Sequence, residues 1–355
     1  MDNSSQRKIL RVGSEWETPT LGREITSALA GDGPTLGFGQ ITSSYAPSDI
    51  AIVVGTSGTT GDAKEVAISA QAITSSAKAS NEFLGAKHGD TWSLLLPLTH
   101  IAAVNVFVRA LQLGTVPLDL RNVEGNYQDS NFTAIVPTQL FRALNGDARL
   151  LRHLQNAKKV LIGGASLSQG LRRQATSAGI DVVSTYGMTE TCGGCIYEGE
   201  AISDVEFEVD NGRVRIKGKT LATTYLNRPW SLNKGWFETS DLGEIIGNKL
   251  IVLGRADDVI VSGGENISLS AIENSLAVAF PQLQTAAFSY SDPQWGQSLH
   301  LAVVGEFSDE SILLHLEKDL GSMAKPKSIH HLSSLPLRGI GKIDREALAK
   351  EINRE

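Results

Sequence analysis

Between residues 50 and 185 short apolar runs alternate with stretches in which apolar positions recur every three or four residues. Ile50–Val54 is a β-branched run bounded by a Gly/Thr loop, which is the pattern of a buried strand. Ser69 is placed to cap a helix that runs to about Leu84. Trp92–Leu96 reads as a strand and Ile101–Leu113 as a helix. Phe132–Val136 reads as a strand, followed by a helix entered through Pro137, a residue suited to a first helical position. Lys159–Ile162 and Asp181–Ser184 are further strands, with a helix at Ser168–Ala178 between them. Strands alternating with helices of this length predict an α/β fold with a parallel sheet.

The pattern changes after residue 205. Val205–Val209, Arg213–Lys217 and Lys249–Leu253 are short strands separated by turn residues such as Asn211 and Gly212, so a small antiparallel region is expected. Val259–Val261, a helix at Ser268–Ala279, strands near Thr285–Ser289 and Leu299–Val304, a helix at Asp309–Leu320, a strand at Ser328–Leu332 and a helix from Asp344 make a second, α+β unit. The expected division is residues 1–254 and 255–355, with the boundary at Gly254–Asp258. Residues 1–48 show little periodicity and read as a loose lead-in with one helix near Thr20–Ala30.

Composition narrows the possibilities. Lys and Arg total 32 against 39 Asp and Glu, a formal net charge of −7, which argues against a nucleic-acid partner. No apolar run approaches the roughly 18 residues of a membrane span, and the first ten residues lack the apolar stretch of a secretory signal. Two cysteines cannot form a disulfide framework, so a reducing cytoplasm is the expected compartment. Many of the 35 glycines stand beside Ser, Thr, Asp and Lys, which suggests loops that approach a ligand closely.

Five segments carry candidate chemistry. Gly55–Lys64 supplies Thr56, Ser57, Gly58, Thr59, Thr60 and Gly61 between a predicted strand and helix. Glycines there let backbone N–H groups turn inward on a phosphate, hydroxyls add donors and Lys64 adds charge. It is not a Walker A loop, because Ala63 precedes the lysine. In Ser184–Glu190, Tyr186 could stack on a base, Thr189 offers a hydroxyl and Glu190 a hard oxygen ligand for Mg²⁺. Asp241, in an Asp-Leu-Gly turn, could accept hydrogen bonds from a ribose diol. Gly254–Gly264 carries Arg255, Asp257 and Asp258 on one side and Gly263 and Gly264 on the other. Leu335–Asp344 places Lys342 on a flexible loop before a helix capped by Asp344. Singly, each has a structural explanation: a surface loop, a strand end, a turn, a linker, a solvated lysine.

As an ordered set spanning roughly residues 50–345, they resemble the adenylate-forming superfamily of acyl- and aryl-CoA ligases, luciferases and peptide-synthetase adenylation domains. The segment Leu96–His100 and the helix after it look like that family's acyl pocket. The amine-binding Asp usual in adenylation domains is missing from Thr99–Ala103, which disfavours an amino-acid substrate. Arg109 stands nine residues after His100, about two and a half helical turns on, and a cation there suits a second carboxylate. With Thr189–Gly194 and the short chain, this is similar to the o-succinylbenzoate–CoA ligases of menaquinone biosynthesis. CoA ligation of another aryl or fatty acid is the nearest alternative, and a non-catalytic nucleotide-binding module is the third.

The resemblance implies ATP, Mg²⁺ and coenzyme A as ligands and a small carboxylic acid as substrate. It implies Lys342 and Thr189 at the α-phosphate, His100 near the substrate carboxylate, and the Thr56–Lys64 loop on the β,γ-phosphates. Glu190 would hold Mg²⁺. Gly163, Gly164 and Ala165 would line the adenine together with Tyr186 and Gly187, and Asp241 and Arg255 would meet the ribose. His100, Arg109, Gly187 and Met188 would contact the acid. A mobile C-terminal unit would turn at Asp257, bringing Gly263 and Gly264 to the pantetheine channel, where the lack of side chains leaves room. The family's longer region before the Gly/Thr loop implies a pared-down N-terminal subdomain, with surface that a second copy in a homodimer would cover. Cys192 and Cys195 are explained by their motif position rather than by metal or redox chemistry, and His330 and His331 read as structural.

Overall fold

The structure is a computed structural model describing residues 6–56, 63–338 and 342–352. The predicted α/β alternation is present, but its strands form two large sheets rather than one. The first has the spatial order Thr224–Tyr225, Lys64–Ser69, Ile50–Thr56, Thr35–Phe38, Gln6–Val12, Tyr45–Pro47. Its three central strands are parallel, and Lys64–Ser69 runs antiparallel to Ile50–Thr56. The second has the order Glu200–Ala201, Gly193–Tyr197, Val182–Met188, Lys159–Ile162, Phe132–Ile135, Trp92–Leu94, Leu118–Asp119. It is parallel from Val182–Met188 onward and closes with two antiparallel strands.

Residues 6–47 are therefore not a loose lead-in. The burial pattern of Gln6–Val12 is mostly exposed, so its sequence carries little apolar signal, yet it pairs in parallel with the fully buried Thr35–Phe38. The helix expected near Thr20–Ala30 spans Thr18–Ala30.

Helices Thr18–Ala30, Ala70–Leu84 and Ile101–Gln112 pack on one another, and Ala70–Leu84 reaches both large sheets. Ser69 caps Ala70–Leu84 as expected, accepting the Ala72 N–H at 3.2 Å. Ile101–Gln112 is buried almost all round, with Ala103 through Ala110 covered. Trp92, Phe132 and Tyr197 are fully buried around it, as is its own Phe107, each contributing about 1.5–3 kcal/mol of burial on the usual scale for large apolar side chains. The other face of the second sheet is covered by Pro137–Leu144, Gln169–Ser177 and a helix that the periodicity did not reveal, Ala148–Asn156.

The antiparallel region is a four-stranded sheet ordered Val205–Asp210, Arg213–Gly218, Phe237–Ile246, Lys249–Arg255. The ten-residue strand Phe237–Ile246 holds Asp241, which therefore lies in a strand and not in a turn. Beyond Arg255 a separate core of Ile260, Ile272, Leu276, Leu301, Ile312 and Leu316 supports the C-terminal sheet. The backbone of Lys342 lies in a two-residue strand, Lys342–Ile343, paired with Leu337–Arg338. No helix among the described residues is long and apolar enough to cross a membrane.

Candidate active site

Parallel strands bring the segments beyond their C-terminal ends to one rim of the sheet, where α/β proteins bind ligands. At the rim of the second sheet lie Pro97–His100 after Trp92–Leu94, Gly163–Ala165 after Lys159–Ile162, and Tyr186–Met188 at the end of Val182–Met188. The first sheet adds the end of Ile50–Thr56. A Cβ on Gly39 would lie 2.9 Å from the Gly55 carbonyl oxygen and 3.2 Å from that of Thr99, so the two rims are in contact. Residues 57–62 begin here; Ser57, Gly58, Thr59, Thr60 and Gly61 lie outside the described residues. The loop joins two antiparallel strands, Thr56 opposite Lys64, rather than a strand and a helix.

Two carboxylates are held at this rim, each by a tyrosine. The Tyr225 hydroxyl donates to Oε1 of Glu190 at 2.8 Å, and Lys64 Nζ stands 3.8 Å from the same oxygen. The Tyr186 hydroxyl donates to Oδ2 of Asp241 at 2.6 Å, and Arg255 lies 3.7 Å from Oδ1. Glu190 and Asp241 are both 7% exposed. Burial and the adjacent carboxylate push both phenols well above their ordinary range, so they stay protonated and donate. Arg255 faces Asp241 across the ladder and also binds Asp257 at 2.7 Å. Neither tyrosine–carboxylate pair is local in sequence. Tyr225 was missed because its two-residue strand carries no periodicity and is placed only by pairing with Lys64–Ser69.

Thr189 opens the short turn Thr189–Thr191 and is half-buried, as are Met188 and Gly187. The Thr191 hydroxyl holds this turn, taking the Met188 N–H at 2.9 Å and donating to the Gly193 carbonyl at 2.7 Å. Gly187 has no alternative, since a Cβ there would meet the Gly193 oxygen at 2.0 Å. Gly163 is half-buried, against the Thr185 hydroxyl, whereas Gly164 and Ala165 are exposed.

His100 is the N-cap residue of Ile101–Gln112. Arg109 is not a surface arginine: it is 3% exposed. Its guanidinium lies 5.1 Å from the Trp92 ring centre and donates to the Tyr197 hydroxyl at 3.0 Å, while its Nε has no partner. No ion pair compensates its charge among the described residues. Asn105, one turn earlier, donates to the Cys192 carbonyl at 2.7 Å and so ties the same helix to the Thr189–Gly194 segment.

Residues 8–225 match the family described as AMP-binding enzyme. The chain is 37% identical over 328 residues to the probable 2-succinylbenzoate–CoA ligase of Mycobacterium tuberculosis strain H37Rv, covering 85% of this chain and 84% of that one. The chain belongs to the AMP-binding enzyme family. Its fold is that of the o-succinylbenzoate CoA synthetase (MenE) from Bacillus subtilis in complex with the acyl-adenylate intermediate OSB-AMP. There the TM-score is 0.74 at 22% identity, over 96% of this chain and 82% of that one. The same synthetase in complex with ATP and magnesium ion gives a TM-score of 0.73 at 22% identity, over 96% and 83%.

In this AMP-binding enzyme Glu190 suits a magnesium ion carried largely by phosphates and water. It offers one hard carboxylate, no cluster of three or more acidic, histidine or cysteine ligands stands around it among the described residues, and Mg²⁺ commonly takes only one or two protein carboxylates. Cys192 and Cys195 are fully buried, and burial pushes both thiols up, Cys195 to about 12, which makes them poor nucleophiles. At the C-terminal unit Gly264 has open space, but a Cβ on Gly263 would meet the Trp295 ring at 2.7 Å. The room expected at the glycine pair is thus partly taken by an indole that is itself 46% exposed. Asp257 is exposed, in the turn Ala256–Asp258. His330 stacks on His300, and His331 meets Asp309 at 2.7 Å.

Proposed function

We propose that this AMP-binding enzyme converts 2-succinylbenzoate to its CoA thioester through an acyl-adenylate. The substrate carboxylate attacks the α-phosphorus of ATP; an O–P bond forms, the bridging P–O bond breaks, and pyrophosphate leaves. The CoA thiol then gives up its proton, its sulfur bonds to the activated carbonyl, and AMP leaves. The observation that carries the choice of acid is Arg109, a buried cation with no anion beside it among the described residues, on the helix that His100 caps. A second carboxylate on the substrate would supply that anion. The relative's name supports the same acid.

The roles follow the chemistry. Thr56, Lys64 and residues 57–62 hold the β,γ-phosphates. Thr189 and Lys342 meet the α-phosphate, where charge develops and positioned donors act most strongly. Glu190 would hold Mg²⁺, which would supply positive charge against that of the phosphates. Asp241 and Arg255 take the ribose, Gly163, Gly164, Ala165 and Tyr186 the adenine, and His100, Gly187 and Met188 the acid beside Arg109. Residues 1–254 and 255–355 are two units, each supported by its own buried cluster. The second turns at Asp257 to exchange Lys342 for the Gly263–Gly264 loop at the site. Two free cysteines fit a reducing cytoplasm.

ATP–pyrophosphate exchange with 2-succinylbenzoate, benzoate, a medium-chain fatty acid and several amino acids tests the proposal. Exchange with 2-succinylbenzoate alone is expected. Exchange only with a monocarboxylate would remove the role given to Arg109, and exchange with none of them would remove the adenylation chemistry.

A further inference from the structure

Arg345 opens the last helix, three residues after Lys342. Its guanidinium is committed on every side. Nη2 donates to both oxygens of Glu273 at 2.8 and 2.9 Å, Nε donates to the Ala287 carbonyl at 2.9 Å, and Nη1 lies 3.8 Å from Oδ2 of Asp258. Glu273, on helix Leu269–Ala279, also accepts the Ala287 N–H at 2.9 Å. Asp258 ends the turn Ala256–Asp258 and accepts the Ser270 hydroxyl at 3.4 Å. One side chain thus joins the strand bearing Lys342, the body of the C-terminal unit, and the turn that follows the N-terminal unit.

The link has several anchors. Burial pushes the Glu273 carboxyl up to about 7, and the guanidinium and the Ala287 N–H pull against it. Nη2 shared between both oxygens of the half-buried Glu273 carboxylate, with Nε on the Ala287 carbonyl, fixes the direction of the planar guanidinium as well as its distance. The local attachment of Lys342 is slight by comparison. Among the described residues its strand pairs through two residues, the Asp344 N–H donates to the Pro336 carbonyl, and Ile343 packs against the cluster that holds Phe288 and Leu348. A reacting group on so short a ladder needs support from outside it.

We propose that Arg345 is a positioning residue for Lys342, clamping the lysine's strand to Glu273 and to the Asp258 turn so that turn and lysine move as one body. This rests on the role given to Lys342 in adenylation.

The test uses the full chain, in two separated half-reactions: ATP–pyrophosphate exchange with 2-succinylbenzoate, and thioester formation from supplied acyl-adenylate. Arg345→Met is expected to lower exchange about ten- to a hundredfold, in kcat rather than in KM for ATP, as misplacement by about 1 Å does. Thioester formation should stay within about threefold, and Arg345→Lys should restore part of the exchange. The double variant Arg345→Met/Lys342→Ala should be no slower in exchange than Lys342→Ala alone, because a residue acting through another adds nothing once the other is gone. Equal losses in both half-reactions, unchanged exchange, or losses that multiply in the double variant would overturn the proposal. Should Arg345→Met not fold, Asp258→Asn leaves the Glu273 clamp intact; it should slow exchange about threefold and leave thioester formation alone, and no change would overturn the coupling to the turn. Normal exchange by Lys342→Ala would instead strike the underlying assignment of the lysine, and is read separately.

Discussion

Arg109 brings its guanidinium into a buried position, where it finds an aromatic face and a hydroxyl but no anion among the described residues. Such a group is costly unless a ligand completes it. Arg109→Leu is therefore expected to raise KM for 2-succinylbenzoate by about tenfold or more while leaving any benzoate turnover unchanged. Its thermal stability without ligand should stay within about 1 kcal/mol, since apolar replacement of a buried ion is often neutral; exchange kinetics and a melting curve check both. Glu65, beside Lys64, is the opposite case. It is 1% exposed and takes hydrogen bonds from Thr42 N–H and hydroxyl, both at 2.6 Å. Burial pushes its carboxyl up, but the bonds from Ser43 and Thr42 outweigh that and hold it below the ordinary 4.5. Its stabilisation is fully present above about pH 4.5 and is lost as pH falls through the lower folded value. Glu65→Gln should lower the melting temperature near neutrality and flatten its fall below pH 4.5, as a melting series from acid to neutral pH would show. The type and position of Arg109 were legible in the sequence, but its burial was not; Glu65 gave no signal, because its partners lie more than twenty residues upstream.

Several element boundaries followed the periodicity closely: Lys159–Ile162 and Asp309–Leu320 are where the pattern puts them. The misses share a cause. Lys64–Ser69 begins with two charged residues that leave an apolar run of only Val66–Ile68 ahead of the helix cap, and Phe237–Ile246 is interrupted by Glu238, Asp241 and Glu244. Both become strands by pairing with neighbours already in place, a contribution that propensity does not register. Gly187 shows what such pairing demands of a single position in a strand. Gly187→Ala would place a methyl group against the Gly193 carbonyl, which is backbone and cannot rotate away. A loss of about 1–3 kcal/mol is expected, together with loss of exchange, because Thr189 and Glu190 follow directly. Gly212→Ala is the control: its φ of 77° is strained for alanine, yet nothing lies within 4 Å. It should cost about 1 kcal/mol and leave exchange normal.

For the molecule as a whole, the proposed mechanism asks one site to hold Lys342 for the first half-reaction and to admit a thiol for the second. A small unit turning on a few residues meets both needs. Asp257→Pro, which restricts φ at the proposed turn, is expected to slow thioester formation from supplied acyl-adenylate by about tenfold or more while exchange falls less than about threefold. Equal losses in rapid-quench assays of the two steps would remove the turn from Asp257. The sequence by itself determined the order of strands and helices through most of the chain and the motif set of an AMP-binding enzyme. Both are written in contiguous residues, either as hydrophobic period or as loop chemistry. The tertiary structure decided that the strands divide between two sheets whose rims meet at Gly39, Gly55 and Thr99. It decided that Lys64 and Tyr225 stand at Glu190, that Tyr186 meets Asp241, and that Arg109 is buried. Those facts depend on strand order and register between distant segments, and no local pattern of apolar and polar residues encodes which distant edge a strand will join.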